Sequence, residues 1–175
     1  MHSKFSSVFA EINSVAIGDN HADLILENCS LINVYTNEIQ EKIQISIKND
    51  RIAFVGQDAS HTRGPKTKIL DVKNKYVCPS FVDPHIHIDH FLTPVEFIKK
   101  SLLCGVTSLF PDSIDIVSVG GYKGFREFLK QTENLPMRFF HTIPGGLPVD
   151  RKFSHGKTLT LQEEKQAIGL PSIVG

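Results

Sequence analysis

The sequence predicts an α/β chain, a small all-β unit followed by about three parallel β/α units. Three observations carry that reading. Residues 21–75 are short apolar segments separated by turn dipeptides, the texture of strands and hairpins. From residue 76 onward strands alternate with amphipathic helical segments, an order that makes parallel strands with crossover helices. The stretch 76–175 holds about three such units, whereas a closed eight-unit barrel takes about 250 residues.

Each element has a local cause. In the arm 1–20, Phe5, Val8, Phe9 and Ile12 recur at helical spacing and predict a short helix with one apolar face. Residues 23–28 and 30–35 read as two strands. Asn37-Glu38 is a turn, and Ile43, Ile45 and Ile47 alternate with polar residues as a half-buried strand does. Asn49-Asp50 turns the chain into the strand 51–56, and 69–72 closes the β unit 21–75. The segment 76–175 opens with an apolar strand, 76–82. Thr93, Pro94 and Glu96 then form a helix start, with Thr93 as N-cap and Glu96 completing a capping box, and Gly105 ends that helix. Residues 106–110 are a strand. Gly120 to Gly124 is a glycine-rich turn before a helix at 125–130. Residues 137–141 are a strand, 162–168 a helix capped by Thr160, and 172–175 the opening of a further strand.

The chain has 175 residues and 19.5 kDa, with 41% hydrophobic and 22% charged residues. That is the composition of a globular protein rather than of a disordered one. Nineteen acidic side chains balance nineteen basic ones, so no charge excess favours nucleic acid or an anionic membrane as partner. No apolar run approaches the roughly 20 residues of a spanning helix. The N-terminus has no basic segment leading into an apolar core, so a secretory signal is not expected and the cytoplasm is the expected compartment. Cys29, Cys78 and Cys104 are odd in number and widely spaced, which predicts reduced, buried thiols.

The chemistry concentrates at His85-Ile86-His87. Side chains alternate along a strand, so the two imidazoles share a face, at the carboxyl end of the strand where β/α folds carry their sites. Neutral imidazoles held together suit a divalent metal such as zinc, manganese or iron. Asp83 and Asp89 flank the pair at two-residue spacing. His90 reads as a surface residue, with a third ligand as the alternative. Asp112 and Asp115 follow the second strand of this part and His141 ends the third, all at the same rim. The loop Pro144 to Pro148 can line a pocket or simply connect.

The run Val77-Cys78-Pro79-Ser80-Phe81-Val82-Asp83-Pro84-His85-Ile86-His87 resembles the first barrel strand of the amidohydrolase superfamily, P-G-F-[IV]-D-x-H-x-H, with Ser80 in place of the glycine. Within it, Leu92 to Phe97 resembles the L-T-P-x-E-F segment of bacterial adenine deaminases, and Gly105 to Ser108 their G-T-T-T. Pro111-Asp112 falls at their A-D-P-H-E, and Pro171 to Gly175 at the strand before their G-x-G-E. Asp89-His90 stands where that family has E-S-S. Its histidine and glutamate after D-P map to Ile114 and Asp115, and a loop cysteine maps to Gly146.

The resemblance implies a β-sandwich-type N-terminal unit (21–75) and the first three or so β/α units of a TIM-barrel metallohydrolase (76–175), the barrel incomplete. It implies hydrolytic deamination of adenine to hypoxanthine and ammonia, with His85 and His87 as metal ligands and Asp112 near the substrate. The metal would be manganese, iron or zinc. A purine is the implied substrate, or a cyclic amide if the chain is instead of the dihydroorotase type. The residues quoted stop before the acidic metal bridge and later histidines, so little activity is expected of this chain alone. A second copy or a complementing carboxy-terminal chain is then the expected partner, and a non-catalytic interaction module is the rival from another class.

Overall fold

The computed structural model describes residues 2–145 and 156–175, with side chains from residue 7 onward. The chain divides into two compact units, Met1–Pro79 and Ser80–Gly175. The loop residues Gly146, Leu147 and Pro148 lie outside the described residues.

In the first unit a helix, α1 (His2–Ala16), precedes one five-stranded sheet: β1 (Leu24–Asn33), β2 (Glu38–Lys48), β3 (Arg51–Gly56), β4 (Lys68–Asp71) and β5 (Tyr76–Val77). The order is β3-β2-β1-β4, with β5 also on β1; β2 is antiparallel to β1 and β3, while β4 and β5 run parallel to β1. Alternation along the strands supplies both faces of the sheet. Ile25 joins Val15, Ala22 and Ala59 in one buried cluster, and Cys29, Ile43 and Ile45 form another. Among the described side chains of α1, Val15 is fully buried, while Val8 and Phe9 stay exposed.

Three expectations are corrected here. The segments 23–28 and 30–35 are one strand, not two. Asn28 takes φ 57°, a left-handed conformation that asparagine tolerates, and the strand passes through a bulge between Leu26 and Leu31. The bulge is tied down because the Asn28 amide donates to Asp71 Oδ1 at 2.9 Å and its carbonyl accepts from Asn74 N. The apolar run 76–82 is likewise split. Tyr76–Val77 pairs with β1, and only from Phe81 does the chain enter the second sheet. Of the three free cysteines only Cys29 is buried; Cys78 and Cys104 are exposed.

The second unit is a parallel sheet in the order β6 (Phe81–Ile86), β7 (Val106–Pro111), β8 (Arg138–Phe139). The connections are α2 (Pro94–Leu103) and α3 (Ile114–Thr132), and α4 (Leu161–Ile168) follows. Among the described residues the sheet is open, with no closed barrel. Its core is Ile88, Ile98, Leu109, Phe128 and Met137, continued by Val117, Phe125, Leu129, Leu159 and Ala167. Thr93 Oγ1 accepts from Glu96 N as an N-cap should, but Glu96 pairs with Lys99, so the reciprocal half of the capping box does not form there. It does form at Thr160 and Glu163. The third strand is shorter than 137–141, because His141 and Thr142 make only single bridges, to Ile173 and Asp112. The stretch 172–175 contributes that one bridge and no strand.

The glycine-rich segment does break the chain ahead of the helical stretch that holds 125–130, but the residues before it are helical too, so the break lies inside α3. The helix begins at Ile114 and continues to Thr132 across a kink at Gly121, where φ is 63° and ψ −156°. That region is nearly exclusive to glycine. The kink accompanies a hydrogen bond from Lys157 N to the Ser118 carbonyl at 2.7 Å, which fastens the following segment to the helix. A Cβ at Gly121 would also stand 3.1 Å from the Lys157 side chain. Gly121→Ala is therefore expected to destabilise the second unit by about 1–3 kcal/mol. Urea unfolding of the variant against the parent checks this, with Gly120→Ala, whose Cβ meets open space, as the control.

Candidate metal centre

The carboxyl ends of β6 and β7 bring three potential ligands together. His85 lies within β6, His87 one residue beyond it, and Asp112 directly after β7. One ligand atom from each lies within 4.8 Å of the others. Parallel pairing sets this juxtaposition, because Ile86 pairs with Pro111 and Asp112 N donates to the Ile86 carbonyl at 2.9 Å.

Hydrogen bonding then selects the tautomer of His87. Its Nδ1 lies 2.8 Å from the Asp112 carbonyl oxygen. A carbonyl only accepts, so Nδ1 carries the proton and Nε2 presents a lone pair. This is the outer support that metal-ligating histidines usually have. The Nε2 atoms of His85 and His87 are 3.2 Å apart, with the rings edge to face. Bonds of about 2.0–2.1 Å at a tetrahedral centre would set two such nitrogens about 3.3 Å apart. Asp112 Oδ1 is buried without a hydrogen-bond partner. A buried carboxylate oxygen is costly unless a donor or cation compensates it. Two imidazole nitrogens and a carboxylate oxygen of Asp112 are a donor set that fits a divalent ion.

The neighbouring residues support rather than extend the set. His90 is stacked on His87, with centroids 5.0 Å apart, and its Nε2 meets Asp115 Oδ2 at 2.9 Å. Asp83 Oδ1 accepts from His85 N at 3.2 Å. Asp89 has a structural task with no local signature in the sequence. Its Oδ2 accepts from Asp115 N and Ile116 N at 3.0 and 2.9 Å, capping α3 from another element. The residue in the N-cap position, Ser113, makes no capping bond, and its hydroxyl is buried without a partner.

His141 does not reach this centre as a rim residue. It is fully buried beside Phe128 and Phe139. Thr132 Oγ1 donates to the Leu129 carbonyl and lies 2.8 Å from His141 Nε2. The hydroxyl has spent its proton, so His141 Nε2–H donates to it and Nδ1 is left without a partner.

With the geometry in hand, relatives place the chain. No family model matches it. An adenine deaminase of Cenarchaeum symbiosum (strain A) is 52% identical over 97% of this chain, and an adenine deaminase 3 of Rhizobium meliloti (strain 1021) is 33% identical over 98%. Over the portion it matches, the chain has adenine deaminases as its homologues. It spans 28–29% of the length of those two relatives. A crystal structure from Bifidobacterium longum that carries a prolidase name superposes with a TM-score of 0.52 at 19% identity, over 83% of this chain and 37% of that one. That likeness shows the shared fold. Likeness to adenine deaminases implies a divalent metal. Among the described residues, no helix is long and apolar enough to cross a membrane.

Burial holds the His141 pKa down at about 4, against an ordinary value of 6.5. Between those pH values the unfolded chain takes up a proton that the folded chain refuses. Stability is therefore fully present above about pH 6.5 and falls as the pH drops toward 4, by about 3 kcal/mol in all. Denaturation midpoints across this window are expected to slope less in His141→Phe than in the parent.

Proposed function

We propose that this chain provides the first metal-binding strand and part of the substrate rim of an adenine-deaminating hydrolase, which converts adenine and water to hypoxanthine and ammonia. The observation that supports this most is the convergence of His85, His87 and Asp112 at the ends of two parallel strands, in a chain half-identical to an adenine deaminase. His85 and His87 would hold the metal through Nε2, and Asp112 would offer its carboxylate to the same centre. When bound, a divalent ion acts as a Lewis acid and lowers the pKa of a water from 15.7 toward about 7.

This chain's own residues do the positioning. The Asp112 carbonyl keeps the proton of His87 on Nδ1, so the second nitrogen stays free to coordinate. The Asp112 carboxylate faces the same point and can accept a proton from the attacking water. Manganese, iron and zinc all suit two imidazoles and one carboxylate. The purine would enter over the carboxyl ends of β6 and β7, with the remaining ligands supplied by a complementing carboxy-terminal segment. A cytoplasmic setting agrees with three unpaired cysteines.

The test has two arms. Equilibrium dialysis against manganese or zinc is expected to show binding near one ion per chain, lost in His85→Ala/His87→Ala. Co-expression with the remaining part of the Cenarchaeum relative is expected to give ammonia release from adenine. His87→Ala should reduce that release by at least about 100-fold. Metal binding that survives the double substitution, or reconstituted protein that leaves adenine untouched, would refute the reading.

A further inference from the structure

We infer that Asp89, His90 and Asp115 form a clamp that holds the two strand ends in the geometry the metal centre needs, making them positioning residues for His87 and Asp112. The inference rests on the metal-centre reading above.

The ligands come from two strand ends, and the loop leaving β6 reaches across to the start of α3 at two points. At the first, Asp89 Oδ2 accepts from the amides of Asp115 and Ile116, at 3.0 and 2.9 Å. These amides are the second and third of the helix, the ones an N-cap side chain normally satisfies. The residue in position to do so locally, Ser113, makes no such bond. The carboxylate also sits at the positive end of the helix dipole, which favours its charge. At the second point, His90 Nε2 and Asp115 Oδ2 are 2.9 Å apart. The His90 ring in turn lies on His87, at 5.0 Å between centroids and 26° between planes.

The consequence follows from connectivity. Asp112 stands two residues before Ile114, where α3 begins. Fixing the first turn of α3 to the β6 loop fixes where Asp112 presents its carboxylate. The stacked His90 limits rotation of the His87 ring about its side-chain bonds, so Nε2 remains directed at His85. One residue serves both contacts, because Asp115 donates its backbone amide to Asp89 and offers its side-chain carboxylate to His90. None of the three residues needs to touch the metal for this role.

The test uses the whole 175-residue chain in four forms: parent, Asp89→Ala, Asp89→Asn and Asp115→Ala. The probes are zinc or cobalt(II) alone. Asn retains a side-chain oxygen that can accept both α3 amides, and Ala does not. Asp89→Ala and Asp115→Ala are expected to weaken metal binding by about 10- to 100-fold, the usual effect of losing an outer-shell partner. They should also alter the visible spectrum of bound cobalt, while Asp89→Asn restores most of both. Thermal midpoints measured alongside report loss of fold separately.

The ring nitrogen resonances of His87 in metal-free protein provide a second readout that needs no bound ion. They should move in both alanine variants and return in Asp89→Asn. Parental affinity, spectrum and His87 resonances in the alanine variants would overturn the clamp, even with the metal reading intact. If the parent binds no metal, the metal reading fails. The His87 resonances then decide alone whether the clamp orders the ring.

Discussion

The hydrogen bond from His87 Nδ1 to the Asp112 carbonyl ties one histidine to the neighbouring strand and sets the chemistry of the candidate centre. It spans the ends of β6 and β7, which parallel pairing already places side by side. Without it, the His87 proton could sit on either nitrogen, and one of the three donors would be undefined. The bond also uses a backbone acceptor, so it does not depend on the identity of the side chain at 112. Everything else at the site adjusts around this contact. His85 meets His87 edge to face, His90 covers it, and the Asp112 carboxylate is left free to face the same point.

The two units solve burial differently. In the first, β1 is the hub. It pairs with β2, β4 and β5, and its alternating residues serve two clusters. The bulge at Asn28 separates the stretch of β1 that pairs with β4, Leu24 to Glu27, from the stretch that pairs with β5, Ser30 and Leu31. In the second unit the hub is β7, whose Ser108, Leu109 and Pro111 are buried between β6 and β8. Its neighbours are less enclosed, β6 most of all.

What could be read from the sequence was whatever local chemistry decides. The His85-Ile86-His87 spacing announced a shared face, Thr93 and Thr160 announced helix starts, and turn dipeptides marked the hairpins. What could not be read depends on distant residues. Asn28 looked like the end of a strand because its stabilising partner, Asp71, lies 43 positions on. The break at Gly120-Gly121 was legible, but not the helical stretch before it, which is fastened by a bond from Lys157, 39 positions beyond Ser118. His141 looked like a rim residue because nothing beside it in sequence shows that Phe128 and Thr132 enclose it. Asp89 is the sharpest case. Ser113 has the residue type and place of an N-cap, yet a carboxylate 26 positions from Asp115 takes the role. Local capping rules name the residue types that can serve, and the tertiary fold chooses among them.

The strand that carries the histidines is the least buried of its sheet. Phe81 and Val82 are 60% and 54% exposed, and His85 is itself exposed. Apolar packing therefore contributes little to holding β6 in place, compared with its effect on β7. Polar contacts have to supply the missing constraint. They do so as a connected set: Asp112 N on the Ile86 carbonyl, His87 on the Asp112 carbonyl, Asp89 on two amides of α3, and His90 on Asp115. Each such bond contributes modestly by itself, about 0.5–1.5 kcal/mol net for a neutral pair and more where a charge takes part. Directionality matters more than that energy. Burial alone would keep β6 against β7 while leaving its ring nitrogens free to turn, and a metal centre needs them aimed. A site on a poorly buried strand is thus defined by its hydrogen bonds, and its accuracy follows the residues that make them rather than the hydrophobic core beneath.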